Sequence, residues 1–218
     1  MKDAVPGPAA DRSRSRRPAE MLDWLAALFA APPTVEFVAS HRRGPGADLL
    51  RDLARDPDLA HGAALLREAL AGADDDRALA ARLGRSFGLL FEGVGGPDTV
   101  PPYESAFRQG SAWRLFQAPT GEMEALLAER DLSVSPAAAM PADHLAVELA
   151  LTAHLVATGD DESAEAMIRR LAGWTPAFAD ACGVADGEGF WAGAAILLAA
   201  VTASGNFTSN PSQSTASA

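Results

Sequence analysis

The sequence predicts an all-α protein, a single-domain helical bundle of about ten helices, and three observations carry that reading. Alanine and leucine supply 73 of the 218 residues, whereas valine, isoleucine and threonine together supply 21, a balance that favours helix over sheet. Apolar residues recur at helical rather than alternating spacing. Proline, glycine and short polar residues punctuate the chain where helices start and stop. Only the two ends differ: residues 1–17 are rich in Pro, Ser and Arg, and residues 204–218 are Ser/Asn/Thr-rich with no charged side chain. Neither end buries enough apolar surface to offset its ordering entropy. The expected organisation is a disordered basic tail over 1–17, a helical domain over 18–203 and a disordered polar tail over 204–218.

Taken in order, Pro18 at a first helical position opens a helix to about Ala30, which Pro32-Pro33 ends. Thr34 caps a second helix with Val35, Phe37 and Val38 inward, before Gly44-Pro45-Gly46 breaks the chain. Short helices follow around Asp48–Ala54 and Asp58–Ala71, the latter stopped by Gly72. Asp74-Asp75-Asp76 puts negative charge at the next helix start, where the macrodipole favours it, and Leu79, Leu83, Phe87, Leu90 and Phe91 form the apolar stripe. Gly93 to Pro102 is a ten-residue loop that no helix accepts, and it delivers Tyr103, the sole tyrosine. Helices resume over about Glu104–Gln117 and Gly121–Arg130, and Ser133–Ala139 forms a second connector. Pro141 then starts a long helix to about Thr158 with Asp143 in its first turn. Asp160–Gly173, Pro176–Cys182 and Glu188–Ala203 complete the set.

Charge narrows the function classes. The chain carries −11 overall, but its first 17 residues carry +3, so the remainder carries −14. An acidic body is a poor nucleic-acid binder, because phosphate contact needs clustered Lys and Arg, and it complements a cationic peptide or protein surface. Cys182 is the single cysteine, which rules out an intramolecular disulfide and a cysteine-held zinc and agrees with a reducing cytoplasm. Ser15-Arg16-Arg17 ahead of Met21, Leu22, Trp24, Leu25, Leu28 and Phe29 looks like a twin-arginine export start. Glu20 and Asp23 interrupt that stretch and its period is helical, so it reads as an amphipathic first helix. Phe190–Ala203 is uncharged, but its 14 residues fall short of the ~20 that span a bilayer and suit a buried helix instead.

Catalytic constellations are scarce. Phe91-Glu92-Gly93-Val94-Gly95-Gly96 lacks the lysine and hydroxyl of a phosphate loop and follows a helix rather than a strand. Cys182 has no adjacent base or cation to activate it. His144 and Glu148 lie four apart on one helix face, with His154 about 80° around the helix from His144, and two metal ligands without a third make a weak site. What stands out is a set of polar groups at helix and loop ends in an apolar middle: Tyr103-Glu104-Ser105 beyond the Pro-rich loop, and Asp143-His144 at the start of the longest helix. Acids and an aromatic beside apolar helix faces suit a peptide with a basic part and an apolar part. Ser105 and Asp143 equally suit helix ends, and Tyr103 equally suits packing.

The same residues carry a family resemblance. Leu89-Leu90-Phe91-Glu92-Gly93-Val94-Gly95, Val100-Pro101-Pro102-Tyr103-Glu104-Ser105, then Met140-Pro141-Ala142-Asp143-His144-Leu145 with Glu148 and His154 further along, and Trp174-Thr175-Pro176-Ala177-Phe178, occur in an order that resembles the TorD/DmsD/NarJ family of cytoplasmic chaperones. The resemblance covers about residues 20–203 and implies a TorD-like all-helical chaperone domain. Such a protein binds the twin-arginine leader of an apo-molybdoenzyme catalytic subunit of the DMSO/TMAO reductase type and delays its export, the proofreading step of the Tat pathway. It also assists folding and insertion of the molybdenum cofactor. No turnover, no catalytic residue, no metal, no cofactor of its own and no membrane insertion are implied. By the matching positions, Tyr103, Glu104 and Ser105 belong to one wall of the leader site and Asp143 and His144 to the other. Glu148 is added on charge grounds, and Asp143 with Glu104 is expected to attract the arginine pair. Two readings from other classes stand beside this one: a GTP-binding helical protein, and a helical metal-dependent enzyme using His144, Glu148 and His154.

Overall fold

A computed structural model describes residues 8–108, 118–135, 140–187 and 189–203, of which 8–16 by backbone alone. The segments expected to be disordered at 1–7 and 204–218, the second half of the helix expected over Glu104–Gln117, connector residues 136–139 and Glu188 lie outside them. The described residues form α1 (Pro8–Ala30), α2 (Val35–Arg43), α3 (Pro45–Leu53), α4 (Ala60–Leu70), α5 (Asp76–Phe91), a 3-10 turn (Gly96–Asp98), α6 (Glu104–Phe107), α7 (Ala118–Ala128), α8 (Leu145–Thr158), α9 (Asp161–Ala172), α10 (Thr175–Asp186) and α11 (Phe190–Ala203). Among the described residues there is no strand; one isolated antiparallel bridge joins Tyr103 to His144.

Local chemistry explains most helix limits. Thr34 accepts the Phe37 N–H at 3.1 Å and Asp75 accepts the Ala78 N–H at 2.8 Å, each satisfying an orphan donor of a first turn. Gly159, with φ 76°, closes α8 in the left-handed conformation that glycine adopts without steric cost. Elsewhere the limits move. The first helix begins at Pro8, not Pro18, so residues 8–17, expected to be disordered, are helical backbone and Pro18 lies inside α1. Proline removes one intrahelical donor there, and the alanines and arginines that precede it are good helix formers. Val35, expected inward, is exposed, because Val38 and Phe37 take the buried face of α2. The helix expected from Pro141 starts four residues later at Leu145, and the one from Glu104 stops at Phe107, where Arg108 turns extended.

The core is one cluster. α1 lies along α8, and α11 packs between α4 and α10 while also touching α9. Phe29, Phe91, Phe178 and Trp191 meet at ring separations of 5.2–6.3 Å, mostly edge to face, and tie α1, α5, α10 and α11 together. α11 is buried almost all round, which accounts for its uniformly apolar sequence. It approaches α4 through Gly62 and Gly193: a methyl group added at Gly62 would lie 2.8 Å from Gly193 O and from Leu197 N. No helix among the described residues is long and apolar enough to cross a membrane.

Candidate functional site

The glycine- and proline-rich loop after α5 is tied down at its exit. Val100 donates its N–H to Leu90 O at 2.6 Å and buries its side chain, so Pro101 and Pro102 leave α5 in a set direction. Having no N–H of its own, Pro102 offers its carbonyl, which accepts from Leu145 N at 2.9 Å, while Glu104 N donates to Asp143 O at 3.0 Å. These bonds bring Tyr103 against His144, with the rings 5.1 Å apart at 81°. The two segments singled out in the sequence therefore adjoin, although some forty residues separate them.

Asp143 is fully buried. Its Oδ2 accepts from the Ser105 N–H at 3.2 Å and its Oδ1 from the Thr120 hydroxyl at 2.8 Å. Tyr103, at the N-cap of α6, has no side-chain cap to offer, so Asp143 supplies it from another segment and holds α7 through Thr120. This carboxylate, expected in the first turn of α8, precedes that helix and fastens α6 and α7. His144 caps α8: its Nδ1 accepts the Ala146 N–H at 3.0 Å. Burial pushes its pKa down to about 4, against the pull of the Asp143 charge, so the ring is neutral at pH 7. Burial likewise holds the Tyr103 phenol above its ordinary value.

Glu104 and Glu148 are also buried, and the chain itself supplies their counter-charges. Arg170, from the last turn of α9, donates to Glu104 Oε2, to Glu122 Oε2 at 2.9 Å and to Pro119 O at 3.1 Å. Its Nε lies 3.9 Å from Glu148 Oε1, and among the described residues neither of these two atoms has a hydrogen-bond partner. Arg108 donates to the same Glu122 Oε2 at 2.7 Å and lies 3.7 Å from Glu104 Oε1. The other oxygen of Glu148 accepts from the Trp174 indole N–H at 3.2 Å. Burial raises the pKa of Glu104 against the opposing arginines, and raises that of Glu148 well above the carboxylate range, with the Glu104 charge adding to the effect.

A cavity of about 490 Å³ opens onto this network, walled by Glu104, Arg108, Arg170, Trp174, Leu151 and Met167. Its size falls in the range of ligand pockets. Phe107 stacks on Trp174 at 5.7 Å and joins α6 to the head of α10 beside it. A second groove of about 400 Å³, bounded by Leu127, Val134, Met140, Val147, Ala150 and His154, is mainly apolar. The structure thus gathers all six sequence-predicted residues, Tyr103, Glu104, Ser105, Asp143, His144 and Glu148, but of these only Glu104 reaches the cavity wall. Sequence reasoning missed Arg108, Arg170, Glu122 and Thr120; the i,i+4 spacing of Glu104 and Arg108 is a local signal that could have found Arg108, whereas the partners of Arg170 and Thr120 come from distant segments. His154 is exposed on α8, and among the described residues no group of three or more His, Cys, Asp or Glu could hold a metal ion.

Comparison with known proteins adds a family. The model of a family described as nitrate reductase delta subunit matches residues 53–181. The chain is 30% identical over 199 residues to the chaperone protein TorD of Aeromonas salmonicida, covering 84% of this chain and 87% of that protein. It is 27% identical over 194 residues to TorD of Photobacterium profundum, with 84% and 89% covered. With TorD of Salmonella agona it shares 31% over 186 residues, with 82% and 84% covered.

Proposed function

The chain belongs to the nitrate reductase delta subunit family, and from that premise we propose that it is a redox-enzyme maturation chaperone that binds the twin-arginine leader of a molybdoenzyme. The curated relatives are named chaperones, which supports a role in binding rather than turnover. In this reading the partner is the apo-form of a molybdopterin oxidoreductase catalytic subunit, met in the cytoplasm before export. The chaperone covers the leader while the client folds and receives its cofactor.

The observation that carries this reading is the cavity itself, where Glu104, backed by a network of further acidic groups, adjoins an apolar wall. A leader pairs two arginines with an apolar run, and Glu104 lines the cavity with Trp174, Leu151 and Met167, while Glu122 and Glu148 lie behind the wall next to Arg170. Carboxylates in a partly dehydrated site select guanidinium groups, and the apolar wall takes the run. Asp143, His144, Ser105 and Tyr103 contribute by fixing α6, α7 and α8 around the cavity. Titration calorimetry against a twin-arginine leader peptide, beside a peptide with both arginines changed to glutamine, tests the proposal. Micromolar or tighter binding that weakens with salt and with the double change is the expected result; no binding to leaders from any molybdoenzyme of the source organism would refute it.

A further inference from the structure

The cavity does not present free carboxylates. Two guanidinium groups of the chain already sit among them: Arg170 bridges Glu104 and Glu122, Arg108 approaches both as well, and the two donate to one oxygen, Glu122 Oε2. Two carboxylates, the carboxyl group of Glu148 and two guanidinium groups make this cluster, and it is built rather than incidental, because Glu104 and Glu148 are covered almost completely by protein. The packing of Arg170 is nevertheless incomplete. Its buried Nε and the buried Glu148 Oε1 face each other at 3.9 Å without a hydrogen bond. Among the described residues, these two buried polar atoms both lack the partner that each needs.

From this geometry we infer that Arg108 and Arg170 are internal occupants of a paired guanidinium site, and that the arginine pair of the leader binds by displacing them. The inference rests on the leader-binding reading of the cavity and adds how that site selects its ligand. Both arginines stand on long flexible stems at the cavity wall, so each can swing outward without moving its helix. Tethered groups compete at a high effective concentration. A free arginine pair therefore gains little by replacing them. A peptide that also fills the apolar part of the cavity gains contacts that Arg108 and Arg170 cannot supply. The site thus responds to arginines and an apolar run together and ignores either alone. While no client is bound, the internal pair keeps the carboxylates neutralised.

Two measurements test this on the full-length protein. In Arg170→Ala, millimolar ethylguanidinium is expected to raise the melting temperature by several degrees, while ethylammonium does not and the wild type responds to neither. The leader peptide is expected to bind Arg170→Ala about tenfold more tightly than wild type, the direction set by removal of a competitor, whereas the diglutamine peptide binds both alike. Arg108, whose side chain is about half exposed (46%), gives a milder variant in case Arg170→Ala folds poorly, with Arg108→Ala tightening the leader in the same direction by a smaller factor. A leader bound by wild type but no more tightly by either variant, without ethylguanidinium rescue, overturns the displacement and leaves leader binding standing. A leader bound by none of the three overturns both.

Discussion

Asp143 caps a helix to which it does not belong: its Oδ2 accepts the backbone N–H of Ser105, 38 residues earlier in the chain, at 3.2 Å. Its other oxygen accepts from Thr120 on a third segment. One buried carboxylate thus joins α6, α7 and the entry to α8.

Replacing it should therefore cost stability before it costs affinity. Asp143→Ala leaves the Ser105 N–H and the Thr120 hydroxyl buried without an acceptor, a loss of about 3 kcal/mol. Asp143→Asn, which keeps one acceptor oxygen, should lose about half of that. Urea unfolding followed by circular dichroism measures both; an Asp143→Ala protein as stable as wild type would remove the capping role.

Glu148 is expected to act in the opposite sense to an ordinary ion-paired carboxylate. Its folded pKa is raised, so it binds a proton in the native state that the unfolded chain has released. The stability linked to that proton is complete below the unfolded pKa of 4.5 and is lost as pH rises toward the folded value. Glu148→Gln keeps an acceptor for Trp174 and does not titrate. The variant should gain on wild type as pH rises above 4.5, read as the shift in urea midpoint. A difference that stays constant as pH rises would contradict the assignment.

His144 moves the balance the other way. Its pKa is pushed down to about 4 from an ordinary 6.5, and its Nδ1 must stay unprotonated to accept from Ala146. The stability it contributes is present above pH 6.5 and is lost as pH falls through the folded value near 4, a change on the order of 3 kcal/mol. His41 adds to the same loss, since burial lowers its pKa while its Nε2 accepts from the Trp24 indole at 3.0 Å. His144→Asn, which preserves a helix cap without titrating, should show a shallower fall in melting temperature from pH 7 to pH 4.5 than wild type.

The α4–α11 contact offers a test of packing. Alanine at Gly62 would improve helix propensity by up to about 1 kcal/mol, but its methyl would lie 2.8 Å from backbone atoms of α11. Backbone cannot move aside as a flexible side chain does, so a net loss of about 1–3 kcal/mol is expected in thermal or urea unfolding. An unchanged or raised midpoint would show that the helices separate at little cost.

Much of this was legible without the structure, for reasons that particular residues make plain. Thr34 and Asp75 cap the helices that their positions suggest, and the stripe of Leu79, Leu83, Phe87, Leu90 and Phe91 is buried as its period requires. Such signals act within one or two turns and need no partner from elsewhere. Pro141 misled because it opens a single hydrogen-bonded turn, His144 N to Pro141 O at 3.1 Å, and the non-local bond from Leu145 N to Pro102 O accompanies an extended His144, so the helix starts only at Leu145. The two segments expected to form a site do adjoin, but the contacts of their side chains were not legible: Asp143 faces inward to Ser105 and Thr120, and Glu104 meets an arginine 66 residues away.

The sequence by itself determined the helical class, most helix positions, the acidic body and the two segments that meet at Tyr103 and His144. Only the tertiary structure decided that the carboxylates are covered and already matched by Arg108 and Arg170. Helix periodicity and caps are properties of neighbouring residues, whereas the pairing of buried charges depends on which helix faces pack together. That depends on the burial of the whole apolar core around Phe29, Phe91, Phe178 and Trp191, a sum over distant contacts that no short stretch of sequence contains.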